Sequence, residues 1–384
     1  MINKNGILQK LITLSLIIPH LQGLFPKDFK ELLRSSEGCH KNAFELKKLA
    51  DKGDVESMYE YGMSLYLETP DYETALKYLL KAASYDFEPS YGDIGIIYME
   101  MNNPETAEKW FIKADEANCL FPPAAYEYGM LICFEKNDDE KALEYFIAAA
   151  DGEYEPSYCQ IGTIFYYKND LTIAQEWFDK AEKADCLFAP AAYDYGMLYL
   201  EKGNDDKALE YFITAAEGEY EPSYGEIGTI LYHNNDLTTA QEWFVKAEEA
   251  NCLFAPSAYN YGLLSLEKGN EDRALKYFIT AADGEFELAY GEIGAILYHN
   301  NDLTTAQEWF VKAEEANCLF APVAYEYGML SLEKDNEGNA LKYFIAAADE
   351  EYELAYEELG EIYKNRNEIE KSEMWFKKAA DVKY

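Results

Sequence analysis

Four cysteines, Cys119, Cys186, Cys252 and Cys318, and two histidines, His233 and His299, have side chains suited to metal ligation or nucleophilic chemistry. Their spacing argues against both uses. The cysteines stand 67, 66 and 66 residues apart, and the histidines also stand 66 apart. A metal centre needs ligands that converge, and copies of one position in successive repeats do not converge. There is no C-x-x-C pair, so the cysteines read as small apolar packing residues rather than as a metal or disulfide framework. The 72 acidic residues make carboxylate pairs unavoidable, so such pairs say nothing about acid–base catalysis. No G-x-S-x-G elbow, phosphate-binding G-x-x-x-x-G-K-[ST] loop or strand-bound G-x-G-x-x-G turn occurs. The sequence therefore predicts no catalytic residue, no metal site, no cofactor and no enzyme activity.

Charge narrows the partners. Against 72 acidic residues there are 33 basic ones, a net charge of −39, and the only arginines are Arg34, Arg273 and Arg366. Nucleic-acid binding depends on Lys and Arg neutralising phosphates, so a nucleic-acid partner is excluded. Anionic membrane surfaces are disfavoured for the same reason. With 34 Tyr, 20 Phe and 5 Trp, the composition is that of a folded chain rather than a disordered one.

The element that positions these residues is a repeat. All five tryptophans, Trp110, Trp177, Trp243, Trp309 and Trp375, share the 66- or 67-residue period. That unit halves, because a glycine recurs every 32 to 34 residues, at Gly62, Gly95, Gly129, Gly162, Gly196, Gly228, Gly262, Gly294, Gly328 and Gly360. Two versions alternate. Each reads as two helices, A and B. In the first version Ala192, Tyr195, Gly196 and Tyr199 share one face of helix A. Gly203 then suits a left-handed helix end, and Asp205 or Asp206 can cap helix B. In the second version Asn234 and Asn235 end helix A, and Asp236 caps helix B. A glycine in mid-helix costs about 1 kcal/mol against alanine. Its recurrence ten times predicts that helices A and B approach closely there. One hairpin cannot bury its apolar face alone, so hairpins must stack. The expectation is an all-α, right-handed superhelical α-solenoid of about ten stacked helix-turn-helix repeats over residues 55–384.

The pattern A-x-Y-x-[LY]-G-x-x-Y followed by A-x-x-[YW]-F-x-x-A resembles tetratricopeptide repeats. The AA-x-G tail at Ala215, Ala216 and Gly218 is similar to the Sel1-like branch. Two departures stand out. The loop between helices is shorter than in typical Sel1-like repeats, and Tyr replaces Leu before the glycine, as at Tyr128 and Tyr195. The resemblance implies a scaffold or adaptor that binds other proteins. It also implies which residues face the inner groove: the helix A positions three and two before the glycine. In the first version these are Tyr59, Glu60, Tyr126, Glu127, Tyr193, Asp194, Tyr259, Asn260, Tyr325 and Glu326. The second version adds Asp93, Gln160, Glu226, Glu292 and Glu358. The family's clamp for acidic tails would need Lys and Asn at these places, so an acidic tail is not the expected partner. The expected partner is a protein presenting a basic or extended segment, with carboxylates attracting it and tyrosine rings offering cation–π contact. Two alternatives stay open: a self-assembling array joined through the C-terminal end, and a non-catalytic regulator that positions an enzyme.

The N-terminal residues differ. Lys4 and Lys10 precede the apolar run Leu11–Ile18, so residues 1–24 read as a signal peptide or an apolar N-terminal segment. The run is too short to span a membrane. Cellular location stays open between the cytoplasm and the secretory pathway. Residues 25–54 read as a degenerate capping hairpin.

Overall fold

The computed structural model describes residues 43–69 and 71–382. The expectations for residues 1–24, and for most of the 25–54 hairpin, lie outside the described residues. Among the described residues there are 21 α-helices and no strand. The first, Ala43–Asp51, packs on the first repeat. Ten A/B pairs follow. The chain divides into two compact units, one ending at Leu198 and one beginning at Tyr199.

The first unit contains the pairs Val55–Glu68 with Tyr72–Ala83, Ser90–Glu100 with Pro104–Glu116, Pro122–Lys136 with Asp139–Asp151, and Pro156–Tyr167 with Leu171–Lys183. The helix Ala189–Glu201 contributes residues to both units. The second unit continues with Asp205–Glu217, then Ser223–His233 with Leu237–Glu249, and Ala255–Glu267 with Glu271–Asp283. It closes with Leu288–His299 with Leu303–Glu315, Ala321–Glu333 with Glu337–Asp349, and Leu354–Asn365 with Ile369–Val382.

The glycine period has the packing cause read from the sequence. A Cβ added at Gly262 would lie 2.6 Å from Cε1 of Phe278, and one at Gly228 would lie 2.7 Å from Cδ1 of Phe244. The same contact joins Gly129 to Phe146 and Gly328 to Phe344. Helix A is thus pressed edge-on against a phenylalanine of helix B. The phenylalanines at this position in the second to ninth repeats, Phe111, Phe146, Phe178, Phe212, Phe244, Phe278, Phe310 and Phe344, are fully buried and make one core rung per repeat, with Leu79 and Phe376 facing the glycine in the first and tenth. Each fully buried phenylalanine contributes about 2–3 kcal/mol of burial.

The tyrosine that replaces leucine also finds its reason here. Tyr128 stacks on Phe111 with centroids 5.4 Å apart, and Tyr195, Tyr261 and Tyr327 stand 5.0 Å from Phe178, Phe244 and Phe310. Each ring therefore crosses from a first-version repeat to the phenylalanine of the repeat before it. The alternation of the two versions is an alternation of inter-repeat contacts.

In the first nine repeats helix B is capped by an Asx side chain that accepts a backbone N–H three residues on, as at Asp71, Asn103, Asp138, Asp170, Asp236, Asn270 and Asp302. Asp205 and Asp206 do not take this role. Asn204 caps that helix, accepting from the Lys207 amide, because the residue after left-handed Gly203 is the last one with non-helical backbone. Asp205 and Asp206 lie in the first turn, where their charge still favours the helix dipole.

Turns between helices carry a left-handed residue. Asparagine fills many of these positions, such as Asn102, Asn169, Asn235 and Asn301, but glutamate fills four: Glu153, Glu219, Glu285 and Glu351. Asparagine tolerates this conformation and glutamate does not, at a cost of about 1 kcal/mol. Gly218 immediately precedes Glu219 and is not itself left-handed. Glu219→Asn should therefore raise unfolding free energy by about 0.5–1 kcal/mol. The reciprocal change, Asn235→Glu, should lower it by a similar amount. Urea midpoints of both variants check the pair.

Candidate partner-binding face

The residues expected on the groove lie on the A helices, and several neighbouring A helices meet through side-chain hydrogen bonds. In the first unit Tyr59 donates to Asp93 at 3.0 Å and Tyr66 donates to Glu100 at 2.6 Å. Gln160 donates to the Tyr126 hydroxyl at 3.4 Å. Thr163 and Tyr167 donate to the two carboxylate oxygens of Asp194 at 2.8 and 3.1 Å. In the second unit Asn260 donates to Thr229 at 3.5 Å, Tyr232 donates to Glu267 at 2.6 Å, and Tyr298 donates to Glu333 at 2.8 Å. Acids and hydroxyls therefore link several neighbouring pairs of A helices within each unit.

The tyrosines expected to offer their ring faces sit deeper than the sequence suggested. Tyr126 packs between Phe146 and Tyr154, and Tyr259 packs between Phe278 and Phe286. Tyr325 packs between Phe344 and Tyr352, and Tyr59 packs on Phe87. Tyr193 is only 7% exposed. The helix B phenylalanine and the aromatic residue of the following turn flank the rings of Tyr126, Tyr259 and Tyr325. Of the second positions, Glu60 is exposed, Glu127 and Glu326 are half-buried, and Asp194 and Asn260 are buried. Carboxylates and hydroxyls, rather than ring faces, are what these helices present.

Several of these carboxyls lack a cation. Among the described residues, no ion pair involves Asp93, Glu127, Glu292 or Glu358. Burial pushes Asp93 up to about 7 despite the opposing Tyr59 hydrogen bond. It pushes Glu127 up to about 7 with help from the Glu100 charge, and it pushes Glu292 to about 7 alone. Burial also raises Glu326, against the His299 contact at 3.4 Å, and it raises Glu358, with Glu357 and Glu361 adding repulsion.

Most of the cations are on the B helices, with others such as Lys168, Lys268, Lys334 and Arg366 confined to the C-terminal caps of A helices. In the ten A helices the only lysines are Lys136 and Lys364, both in a last turn, and there is no arginine. The B helices carry Lys113, Lys180, Lys246, Arg273, Lys276, Lys312 and Lys342, among others. There they pair with the preceding B helix, as Lys276 with Glu248 and Lys342 with Glu314, or they cover a tryptophan. Lys180, Lys246 and Lys312 lie 3.6 to 3.8 Å above Trp177, Trp243 and Trp309. Those tryptophans are half-buried against Tyr158, Tyr224 and Tyr290, outside the phenylalanine core, and their outer faces are taken by the chain's own lysines. This segregation of charge between A and B helices is the main feature that the sequence reading passed over. Sorting lysines by helix would have found it.

The raised carboxyls carry a pH signature. A carboxyl whose folded pKa lies above its unfolded value near 4 holds more protons in the native state, so stability falls as pH rises from about 4 to about 7. Removing the charge removes that loss. Asp93→Asn and Glu292→Gln should each raise stability by about 1–2 kcal/mol at pH 8, with the gain vanishing near pH 4. Urea titrations at the two pH values measure the difference.

The repeated cysteines have a local role. The thiols of Cys119, Cys186, Cys252 and Cys318 donate to the carbonyl oxygens of Glu88, Glu155, Glu221 and Glu287 at 3.0 to 3.4 Å. Each ties the turn after helix B to the turn before helix A of the same repeat. Cys252 is buried as expected, whereas the other three are half-buried. Among the described residues no group of three or more His, Cys, Asp or Glu is placed to hold a metal. None of the described helices is long and apolar enough to cross a membrane.

The geometry is that of a helical repeat array, and comparison with known proteins gives its class. Sel1 repeat models match residues 48–84, 122–154, 253–286 and 319–352. Tetratricopeptide repeat models match residues 88–118, 159–223 and 354–383. The chain belongs to the tetratricopeptide-like and Sel1-like repeat proteins. Repeats of these kinds mark a protein–protein interaction scaffold. A solved structure of c5321, a protective antigen of uropathogenic Escherichia coli with an SLR fold, matches with a TM-score of 0.58. It shares 19% identity, over 89% of this chain and 79% of that one, which speaks to the fold alone. Two curated relatives are similar in sequence. The anaphase-promoting complex subunit CDC16 of Saccharomyces cerevisiae is 24% identical over 61% of this chain and 28% of its own length. Protein bimA of Emericella nidulans is 28% identical over 41% of this chain and 20% of its own length. The chain thus spans less than a third of either relative.

Proposed function

We propose that this protein is a non-catalytic scaffold whose A-helix faces take extended, lysine- or arginine-bearing segments of partner proteins. The observation that carries this reading is the separation of charge. Carboxyls such as Glu127, Glu292 and Glu358 are half-buried with no cation beside them. Many of the chain's own cations, meanwhile, are engaged on the B helices. A half-buried carboxylate gains most from a cation supplied by a partner, because the desolvation is already in place. The packed tyrosines contribute through their hydroxyls, which hold the acids in position, and not through cation–π contact.

The reading makes a pH and salt prediction. A partner lysine beside these carboxyls favours their ionised form, so binding expels protons and tightens as pH rises from 6 to 8. Association should also slow steeply with salt, since the Debye length falls from about 10 Å at 0.1 M to about 3 Å at 1 M. Fluorescence anisotropy with a labelled, extended Lys/Ser peptide measures both effects. We expect at least about tenfold tighter binding at pH 8 than at pH 6, and no binding of the corresponding Glu/Ser peptide. Equal affinity at the two pH values would exclude these carboxyls as the site.

A further inference from the structure

The cysteine at position 186 differs from its three copies in what faces it. Each copy lies in the same register relative to a residue on helix A of its own repeat. Opposite Cys119, Cys252 and Cys318 that residue is Gly92, Gly225 and Gly291; opposite Cys186 it is Cys159. At Gly225 and Gly291 an added Cβ would fall 2.7 and 2.8 Å from Ser257 and Val323. In the fourth repeat the residue in the register of Ser257 and Val323 is Ala191. Cys159 is fully buried, and its thiol donates to the Cys186 carbonyl oxygen at 3.3 Å. The Cys186 thiol in turn donates to the Glu155 carbonyl oxygen at 3.4 Å, one helical turn before Cys159, so both sulfurs sit at the same turn. No other repeat brings a second sulfur to this turn among the described residues.

We propose that Cys159 and Cys186 form a peroxide-sensitive dithiol that closes to a disulfide inside the fourth hairpin. The roles of the two sulfurs differ. Cys186 is half-exposed, and the neighbouring Cys159 thiol holds its thiol below the usual range. Burial holds Cys159 well above it. Cys186 is therefore the sulfur that meets the oxidant, and Cys159 is the one that resolves. The Cys186 thiolate attacks one oxygen of a hydroperoxide, the O–O bond breaks, and Cys186 becomes a sulfenic acid as hydroxide departs. The Cys159 sulfur then attacks the Cys186 sulfur. An S–S bond forms, the S–O bond breaks, and the expelled hydroxide takes the Cys159 proton as water. Two thiols are oxidised and one hydroperoxide is reduced. Closure also removes the Cys186 thiol donated to the Glu155 carbonyl, so the turn joining the fourth and fifth repeats exchanges a hydrogen bond for a covalent tie.

The test uses the full-length, reduced protein. It is exposed to a few equivalents of hydrogen peroxide, denatured, alkylated and weighed, and its peptides are then mapped. We expect a species lighter by two hydrogens that alkylates at five of its seven cysteines, with the peptides of Cys159 and Cys186 joined. Cys159→Gly, which installs the residue the chain uses in this register elsewhere, should prevent the cross-link and leave Cys186 as an oxygen adduct. Cys186→Ser should also prevent it, and Cys252→Ser should leave it unchanged. Oxygen adducts on wild-type Cys186 without the cross-link would overturn the proposal. So would the same loss of thiols in the wild type and in either pair variant.

Discussion

Gly262→Leu should lower unfolding free energy by about 3 kcal/mol, at the upper end of the usual cost of overpacking a core. The reason is local. A Cβ at Gly262 already lies 2.6 Å from Cε1 and 2.7 Å from Cδ1 of Phe278. Phe278 is fully buried and backed by Tyr259 at 5.5 Å. It has nowhere to retreat, so helix A must rise off helix B and open the seventh hairpin. In a repeat array each hairpin rests only on its neighbours, so the damage should centre on residues 255–283. Hydrogen exchange should show those amides opening first. Gly338 supplies the contrast. It lies in a first helical turn with nothing nearer to its Cβ position than 3.7 Å. Gly338→Ala should therefore be neutral or stabilising by up to about 1 kcal/mol. Equal urea midpoints for Gly262→Leu and wild type would contradict the packing account.

The glycine and phenylalanine periods were legible in the sequence because both obey one constraint: two helices cannot approach closely unless one residue at the crossing lacks a side chain. The tyrosines were less legible. The family resemblance assigns Tyr126 and Tyr259 to the inner face, but it does not say how far the neighbouring hairpin covers that face. The covering residues, Tyr154 and Phe286, come from the turn that follows helix B, outside the helical face that residue spacing describes. The cap at Asn204 was misplaced by one residue because Asp205 and Asp206 are equally good capping types. The backbone, through left-handed Gly203, chose between them. The separation of cations onto the B helices was present in the sequence throughout, but it becomes visible only once each lysine is assigned to a helix. The pairing of Cys159 with Cys186 was hidden for a related reason. Cys159 breaks the repeat, replacing a glycine, and so drops out of any search by period.

Neutralising three carboxyls on the A-helix face of the second unit should weaken binding of the lysine-bearing peptide by at least about tenfold, roughly 1.4 kcal/mol or more. The variant is Glu292→Gln, Glu326→Gln and Glu358→Gln. The matched control changes the same net charge on exposed B-helix positions of the same unit: Glu210→Gln, Glu242→Gln and Glu308→Gln. Exposed charges of that kind typically contribute little, so the control should bind within about twofold of wild type. Measured side by side at pH 8 and low salt, the two triple variants test the central claim most directly. A large loss for the A-helix variant alone is the predicted result. An equal loss for both would mean that only the net charge of −39 attracts the peptide, and would contradict the assignment of the binding face.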